Sequence, residues 1–506
     1  MLPSPALGLA ASLFTTAALA TDNIPNACST LSDSLGDRVA YPNSTTYDTG
    51  MSYWSARQSA QRPVCLVTPA TASEVSLVLT TLIRAGAPFT CRSGGHTAHA
   101  NGSNIDAGVT VDLARLNTIN LADDRTRVSV GAGLRWGDVS AALDPLGLAV
   151  LGGRDADVGV AGLLLGGGFS YFSGRHGWAC DNVLGMEVVL ASGEIVHASQ
   201  NQHQGLFRAL KGGGGSSFGV VTRFDLATIA QGDLWTRTVI FPGQTKEAIA
   251  DAATMLITTG MEEDPDAHAY FVRTYQPNYS GFINLASFFH ATPPPAIHGS
   301  GYATPAAFQP FDAIPGALSN TSMVANLTTV SKSISIAYGQ RQTWSNIAFA
   351  AGSPAVITAL LALWEDAILK IVPQAGARGA TYSPFAIYQA ISGSHLRASQ
   401  ERGGNIMGLS PDEGPMVMMH FLTGWDDEAL DEVILRSTRE LVRAAETKTW
   451  QQGAHRPFVY MNYGGEWQDV LQRYGSKNYV EMLSTSLRYD PRRNLQRLWR
   501  GYFKLY

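Results

Sequence analysis

The chain has 506 residues, of which 45% are hydrophobic, and a formal net charge of −5 at pH 7. This length exceeds the size at which one core usually keeps growing, so we expect two domains. The slightly acidic balance, without a block of like charge, excludes the electrostatic footprint of a nucleic-acid-binding protein and favours a small-molecule partner.

The first segment, residues 1–20, is largely apolar and ends Ala18-Leu19-Ala20, the small-residue pattern of a signal-peptidase site. We therefore expect a signal peptide, the secretory pathway and an extracellular location. A short apolar anchor is the alternative, because the segment has no Lys or Arg. No second apolar run reaches spanning length, so no membrane association is expected after cleavage. Asn-x-Ser/Thr acceptors, in keeping with a secreted glycoprotein, begin at Asn43, Asn101, Asn278, Asn320 and Asn326.

The four cysteines are too few for a disulfide scaffold, although secretion permits one or two bridges. Cys28 and Cys65 flank the first ordered segment and are the expected pair.

The first 230 residues alternate short elements with glycine-rich loops. Periodicity predicts helices over 73–85 and 136–143, strands over 89–91, 109–113 and 127–130, and a hairpin over 187–197 that turns at Ser192-Gly193. After about Ile229 the glycine clusters stop, and amphipathic helices are predicted over 354–371 and 428–445, with a loop over 293–316. This mixture indicates an α+β fold.

One loop, residues 91–103, presents His96 immediately after Gly94 and Gly95. Glycines let a backbone approach a ligand closely, so the imidazole can be offered to a bound group. A metal site formed by His96 and His99 is disfavoured, because no cysteine or carboxylate partner is suitably spaced nearby.

Another glycine run, Gly166-Gly167-Gly168, offers consecutive backbone N–H groups to a pyrophosphate. A simple loop or a close packing contact is the alternative. The run lacks a Rossmann context, since no Gly-x-Gly-x-x-Gly joins a strand to a helix.

Taken in order, the glycine-rich motifs resemble those of the berberine-bridge-enzyme-like FAD-linked oxidases, within the wider vanillyl-alcohol-oxidase (PCMH-type) class. The resemblance is strong over residues 55–228, moderate over the last fifty or so, and closest to fungal members of secondary metabolism at residues 174–182. The motifs that carry it are Arg92-Ser93-Gly94-Gly95-His96, Asp157-Val158-Gly159, Gly166-Gly167-Gly168, Asp181-Asn182, Phe218-Gly219-Val220-Val221-Thr222 and Tyr460-Met461-Asn462-Tyr463.

This resemblance implies a PCMH-type FAD-binding domain in two parts. It comprises residues 21–230 and a C-terminal segment, 455–506, that completes the FAD site. An α+β substrate-binding domain is inserted between them over 231–454. It also implies FAD attached covalently through His96 only: relatives that add a cysteine link have Cys where this chain has Asp155, and Cys180 falls elsewhere in the pattern.

The resemblance further implies a set of cofactor-binding residues. They are Arg92, Ser93, Gly94, Gly95, His96, Ser103, Val158, Gly159, Gly162, Gly166, Gly167, Gly168, Asp181, Asn182, Val220, Val221, Tyr460 and Asn462. For Arg92 a surface ion pair is the alternative, and for Asp181 and Asn182 a turn or capping role.

Tyr463 is the candidate proton acceptor, with Asn462 as an orienting residue. Strand alternation would put Tyr460 and Asn462 on one face and Tyr463 on the other. A tyrosine with a pKa near 10 is a poor base at neutral pH, so Tyr463 needs a nearby positive charge or hydrogen-bond donor, which the sequence does not identify.

The implied activity is that of an FAD-dependent oxidase acting on a small organic substrate, such as a fungal secondary metabolite, with dioxygen as acceptor. A carbohydrate oxidase is one alternative, with a groove lined by Trp235, Tyr270, Tyr275 and Trp344. A flavin-binding protein without turnover is another, since Leu164 and residues 214–217 depart from the family pattern. The oligomeric state has no signal in the sequence.

Overall fold

A computed structural model describes residues 15–279, 281–297, 301–334, 336 and 338–506. Residues 1–14 of the expected signal peptide lie outside this range. The strands, β1 to β20 in chain order, are Val39–Ala40, Cys65–Val67, Phe89–Arg92, Val109–Asp112, Ile119–Leu121, Arg127–Gly131, Leu148–Val150, Val183–Val189, Ile195–Ser199, Val220–Ala230, Leu234–Pro242, Ala267–Gln276, Gly281–His290, Ala296–Ile297, Gly301–Tyr302, Ser319–Ala325, Arg341–Ala350, Tyr382–Ile391, Met416–Trp425 and His455–Arg456. The helices, α1 to α16, are Thr15–Leu35, Thr45–Gly50, Ala56–Ser59, Ala72–Ala85, Trp136–Leu143, Val160–Leu165, Ser173–His176, Gln204–Leu210, Lys246–Met255, Met261–Glu263, Leu327–Ser333, Pro354–Arg378, Gly393–Glu401, Asp431–Gln451, Ser476–Tyr489 and Asn494–Leu498.

Two sheets organise the first half of the chain. The smaller has the order β1-β2-β4-β3, with β2, β4 and β3 parallel. The second is antiparallel in the order β5-β6-β10-β8-β9, with β7 also paired to β10. The expected Cys28–Cys65 disulfide is present and ties α1 to β2. Helix α4 packs against α1 and against β8, β9 and β10, so it connects the two sheets.

The second half forms one antiparallel sheet with the order β16-β11-β13-β12-β18-β19-β17-β20. Successive side chains of a strand point to opposite faces. One face, including Phe271, Tyr388 and Phe421, packs in a buried cluster with residues of α12. The opposite face is therefore free to line the cavity described below.

Most predicted elements are confirmed. Helix α4 spans Ala72–Ala85 and α5 spans Trp136–Leu143, while β8 and β9 form the expected hairpin. The loop predicted over 293–316 is a correction, since it contains β14, β15 and a 3-10 helix over Ala306–Ala313. Phe308 and Phe311 of that helix are buried, which explains why the segment is ordered against the large sheet.

None of the helices in the described part of the chain combines the length and apolar character that crossing a membrane requires.

Candidate active site

A cavity of about 320 Å³ lies where the His96 loop, α6, the start of β10, the C-terminal segment and the large sheet meet. Many of the sequence-predicted residues line it. They are Ser93, Gly94, Gly95, His96, Ser103, Val158, Gly159, Gly162, Val220, Val221, Tyr460, Asn462 and Tyr463.

Two glycines of the predicted set permit a close backbone crossing at this cavity. A Cβ added to Gly94 would lie 2.5 Å from the amide nitrogen of Gly159, so neither position accepts a larger residue without a backbone shift. The amide N–H groups of Gly94 and Gly95 donate no hydrogen bond to any residue that the structure describes. They remain available to an acceptor in the cavity.

Gln58, which the sequence did not single out, fixes the shape of the His96 loop. Its buried amide nitrogen donates to the carbonyl oxygens of Gly95 (3.2 Å) and Thr97 (2.6 Å). Its oxygen accepts from the hydroxyl of Ser103 at 2.6 Å. The Ser103 hydroxyl is thus committed to the protein, although the residue lines the cavity.

The His96 imidazole stacks on Trp54, with ring centroids 4.3 Å apart and planes 14° from parallel. Its Nε2 is buried and has no hydrogen-bond partner, and the nearest carboxylate oxygen is Oδ2 of Asp155 at 3.7 Å. Burial lowers the pKa of His96 to about 4. The ring is therefore neutral near pH 7 and offers a free lone pair.

The metal interpretation receives no support. The Nε2 of His99 lies 2.7 Å from the carbonyl oxygen of Gly464, which makes it a hydrogen-bond donor and not a ligand. Within the described residues, no cluster of His, Cys, Asp and Glu side chains could hold a metal ion.

The Arg92 guanidinium is engaged with protein groups. It donates to the carbonyl oxygens of Gly50 and Ser52. It also lies 3.7 Å from Asp112 and covers the ring of Tyr53. Arg92 is not among the residues that line the cavity, and its cofactor-binding role stays a prediction.

Asp181 and Asn182 are not among the residues that line the cavity. The carboxylate of Asp181 caps a 3-10 turn by accepting from the amide of Trp178 at 2.9 Å. The Asn182 amide donates to two backbone carbonyls. These contacts are those of the capping alternative, and a cofactor-side role for the two residues stays a prediction.

Gly166, Gly167 and Gly168 lie just outside the cavity, against the C-terminal segment. A Cβ on Gly166 would overlap the side chain of Asn462, and the amide of Gly168 donates to the hydroxyl of Tyr460 at 3.0 Å. The run makes the close packing contacts of the alternative, and its phosphate-binding role stays a prediction.

The segment Met461–Tyr463 is a 3-10 turn, where strand alternation was expected. Asn346 of β17 is the reason: its side chain accepts from the amide of Tyr460 (2.9 Å) and donates to the carbonyl of Tyr460 (3.0 Å). Asn462 donates to the carbonyl of Leu163 and to the hydroxyl of Tyr460, both at 3.0 Å. Burial raises the pKa of Tyr460, whose hydroxyl accepts from the amides of Gly168 and Phe169.

Arg154 places a positive charge beside the hydroxyl of Tyr463. Its Nη2 donates to the Tyr463 hydroxyl at 3.0 Å, and its Nη1 donates to Gln389 Oε1 at 2.7 Å and to His268 Nε2 at 2.8 Å. Sequence reasoning missed Arg154, although an arginine directly after Gly152-Gly153 was a possible signal.

The large sheet supplies further lining residues that the sequence did not assign to the site, notably Gln389 and His420. The ring of His420 lies parallel to Tyr463, with centroids 4.1 Å apart. Burial and the charge of Arg154 lower the pKa of His420 to about 3, so this ring is also neutral. Tyr270 and Trp344, which were candidates for a carbohydrate groove, line the same cavity.

Neither of the two free cysteines, Cys91 and Cys180, has the properties of a covalent attachment site. Cys180 is buried and does not line the cavity, and burial raises the pKa of its thiol. Cys91 lines the cavity, but burial raises its thiol pKa as well. Neither has the thiolate character that bond formation to a ligand requires.

These features fit FAD. The unpartnered Nε2 of His96 suits attachment to an electrophilic carbon, while the unbonded amides of Gly94 and Gly95 suit a pyrophosphate. Gly214, Gly215 and Trp499 extend the cavity away from His96, as an elongated dinucleotide requires.

Comparison with known proteins agrees with this fit. Residues 63–199 match the FAD-binding domain family. The chain is 33% identical to the FAD-dependent monooxygenase tpcD of Cochliobolus heterostrophus, over 92% of this chain and 91% of the relative. It is 32% identical to the FAD-dependent monooxygenase sdcF of Emericella nidulans, over 94% and 98% of the two chains.

Solved structures share the fold at lower identity. A xylooligosaccharide oxidase of Myceliophthora thermophila, in complex with xylobiose, superposes with a TM-score of 0.74 at 20% identity, over 95% of this chain and 99% of the other. The 6-hydroxy-D-nicotine oxidase of Arthrobacter nicotinovorans gives a TM-score of 0.70 at 20% identity, over 91% and 97%. At this identity the similarities establish the fold of the chain and do not indicate its substrate.

Proposed function

This chain belongs to the berberine-bridge-like family of FAD-linked oxidoreductases, and from that premise we propose that it oxidises a small organic substrate with covalently held FAD and dioxygen. The observation that carries the proposal is one cavity lined by both His96 and the Arg154–Tyr463 pair. The proposal keeps an FAD-binding domain at 21–230 with 455–506, and a substrate-binding domain at 231–454.

His96 is the residue that holds the cofactor covalently. Its neutral ring, oriented by Trp54, offers Nε2 as the nucleophile. Asp155 stands where some members of the family have the cysteine that forms a second covalent bond to FAD, so we propose a single bond, through His96. FAD, when bound there, would supply the chemistry of hydride acceptance and of electron transfer to dioxygen.

Tyr463 accepts the proton that the substrate loses. The guanidinium of Arg154 donates to the Tyr463 oxygen, and its positive charge stabilises the deprotonated form of Tyr463, which is the form that can accept a proton. His420 packs parallel to the Tyr463 ring and fixes its plane. Asn462 orients the turn through Tyr460 and Leu163 and does not touch the reacting oxygen.

Denaturation of the purified protein tests the covalent bond. We expect the yellow chromophore to stay with the polypeptide in wild type and to be released or absent in His96→Ala. Cys180→Ala and Cys91→Ala remove the two free thiols and serve as matched controls that retain the chromophore. Release of free FAD from denatured wild type would refute the covalent bond and leave FAD binding intact.

Anaerobic rapid mixing with a substrate found by screening for flavin bleaching tests Tyr463. We expect Tyr463→Phe to slow flavin reduction by about a hundredfold or more, the usual contribution of a positioned base. Tyr270→Phe, in the same cavity, is the control and should change the rate only slightly. Equal rates in wild type and Tyr463→Phe would remove Tyr463 from the mechanism, and a panel that bleaches nothing would favour a flavin-binding protein without turnover.

Monooxygenation is the second candidate, because the relatives of about one-third identity are named monooxygenases. Isotopically labelled dioxygen separates the two activities. An oxidase places the label in peroxide, whereas a monooxygenase places one labelled atom in the product. A carbohydrate oxidase is less favoured, since apolar side chains such as Ile387, Leu422 and Trp344 line the sheet side of the cavity.

We also propose passage through the secretory pathway. The Cys28–Cys65 disulfide supports this, as do the exposed acceptor asparagines Asn43, Asn320 and Asn326. A mass decrease on enzymatic deglycosylation of protein secreted from a fungal host is expected. Exclusive recovery of unglycosylated protein inside the cells would contradict it.

A further inference from the structure

Arg154 is a cationic side chain of the cavity that has no acidic partner. In the described part of the chain, no carboxylate oxygen lies within 4 Å of its guanidinium, and its side-chain hydrogen-bond acceptors belong to Tyr463, Gln389 and His268. The carboxylate of Asp155, the next residue, accepts from the amide of Asp157 and lies 3.7 Å from His96.

The four fully buried arginines are each paired with an acid. Arg57 pairs with Glu466 at 2.9 Å and Arg273 pairs with Glu365 at 2.6 Å. Arg237 pairs with Asp312 at 2.5 Å and Arg92 with Asp112 at 3.7 Å. Arg154 is half-buried in the wall of the cavity without such a pair, and because a charge withdrawn from water is costly unless it is paired, its position favours an anion in the cavity.

Hydrogen-bond capacity leads to the same conclusion. A guanidinium has five N–H donors, and the side chains of Tyr463, Gln389 and His268 take three of those of Arg154. Two donors remain for an acceptor in the cavity. Because Arg154 itself lines the cavity, a bound molecule can reach them.

The walls around this charge are flat and largely apolar. The guanidinium carbon lies 5.3 Å from the ring centre of Tyr270 and 5.7 Å from that of Phe169. Trp344 and Leu422 continue the lining along the sheet. Such walls suit a planar conjugated skeleton and offer little to the many hydroxyls of a sugar.

We propose that Arg154 binds an anionic oxygen of the substrate, carried on a planar aromatic or conjugated skeleton. An acidic phenol, an enol or a carboxylic acid supplies this group. The inference rests on the proposed function, because it places the substrate in the same cavity, and it narrows the substrate class to organic acids. Tyr463 then stands beside the bound oxygen, with both oxygens held by one guanidinium.

Three small probes test the proposal by isothermal titration of the FAD-loaded protein: 4-cyanophenol above its pKa, benzoate, and the neutral ether 4-methoxybenzonitrile. We expect at least one anion to bind about tenfold or more tightly than the ether, since hydrogen bonds to charged groups are the strong ones. The better anion identifies the phenolate or the carboxylate as the preferred source. Equal binding of all three probes would overturn the proposal.

Substitution assigns the preference to Arg154. Arg154→Met should remove the anion preference and leave the ether unaffected, whereas Arg154→Lys should retain part of it. Arg237→Met removes a buried guanidinium that is paired with Asp312 outside the cavity, and it should keep the preference. An anion preference that survives in Arg154→Met would refute the assignment; if that variant does not fold, a full anion preference in Arg154→Gln would refute it in the same way.

The outcome is separable from that of the proposed function. Tyr463→Phe keeps the guanidinium, so anion binding should persist while flavin reduction slows. A protein that reduces its flavin but binds the ether as well as the anions would overturn this inference alone. A protein that binds the anions through Arg154 but shows no flavin reduction with any substrate would support this inference and defeat the proposed oxidation.

Discussion

At the scale of single residues, the cavity combines one permanent positive charge with imidazoles that burial keeps neutral. His96 has a pKa of about 4 and His420 one of about 3, so neither competes with Arg154 for an anion near pH 7. His268 accepts a hydrogen bond from Arg154, and its pKa is lowered well below the ordinary value by burial and by that charge. The neutral His96 imidazole and the positively charged Arg154 guanidinium are thus available for two different tasks.

Gly162 allows a residue-scale prediction about cofactor fit. It lies in α6 and lines the cavity, and an added Cβ would meet no protein atom within 4 Å. The methyl of Gly162→Ala therefore takes up cavity space. We expect the apoprotein to gain about 0.5–1 kcal/mol in unfolding free energy from helix propensity, while FAD per chain falls after gel filtration.

Gly376→Ala is the matched control. Gly376 lies in α12, is exposed, and also has no protein atom within 4 Å of an added Cβ. It should show the same gain in stability with unchanged FAD content. Wild-type FAD content in Gly162→Ala would show that the cofactor does not occupy the space beside α6.

At the scale of elements, a single side chain connects the large sheet to the turn that carries Tyr463. Asn346 of β17 bonds both the amide and the carbonyl of Tyr460, at 2.9 and 3.0 Å. Asn346→Ala leaves the buried amide of Tyr460 unpaired, while the carbonyl of Tyr460 keeps the bond from the amide of Tyr463 at 3.1 Å. We expect a loss of about 1–3 kcal/mol in unfolding free energy, and slower flavin reduction because Tyr463 is no longer held against Arg154.

Ser345→Ala is the control from the adjacent position of the same strand. Ser345 is fully buried and its hydroxyl has no hydrogen-bond partner. Removing that hydroxyl should leave stability unchanged or slightly increased. Denaturant unfolding of both variants decides the point, and equal effects at the two positions would show that Asn346 does not hold the turn.

Local elements of this fold were predictable from sequence, whereas the site needed contacts between distant segments. Helices α4 and α5 follow from apolar periodicity and from Gly86 as a helix stop, so their bounds agree closely with prediction. Local sequence predicted a strand at Tyr460. The segment forms a turn instead, because the side chain of Asn346, 114 residues away, bonds the backbone of Tyr460 in place of a strand partner. Arg154 and Tyr463 are 309 residues apart, and neither local pattern shows their contact.

The sheet face of the cavity was unpredictable for a related reason. Alternation indicates that Gln389 and Tyr388 point to opposite faces of β18, but it does not say which face meets α12. Only the packing of Tyr388 into the cluster with α12 settles that Gln389 faces the cavity. The FAD-binding motifs could be recognised in the sequence because each is a short local segment. The substrate side of the cavity could not, because its residues come from four different strands of the large sheet.

At the scale of the whole molecule, buried neutral histidines make stability depend on acid pH. His395 lies in α13, is 2% exposed, and packs against Trp178 and Phe169 with centroid distances of 4.6 and 5.7 Å. Burial lowers its pKa to about 3. Between about pH 3 and the ordinary value near 6.5, the unfolded chain binds a proton at this residue that the folded chain does not.

The sign of the effect follows from this difference in bound protons. Because the unfolded state holds more protons in that window, acidification favours unfolding, at about 1.4 kcal/mol per pH unit for each such histidine. Removing His395 should therefore lower the slope of unfolding free energy against pH by that amount between about pH 4 and 6. The measurement is denaturant unfolding of His395→Leu and wild type at several pH values.

Leu396→Ala is the control, since it alters the next buried residue of α13 without changing a titratable group. It should lower stability by a similar amount at every pH, because deleting buried methyl groups is independent of protonation. A His395→Leu protein whose slope equals that of wild type and of Leu396→Ala would mean that His395 takes up its proton in the folded state. The acid sensitivity of the protein would then have to come from other buried histidines, with His420 and His268 beside Arg154 as the remaining contributors.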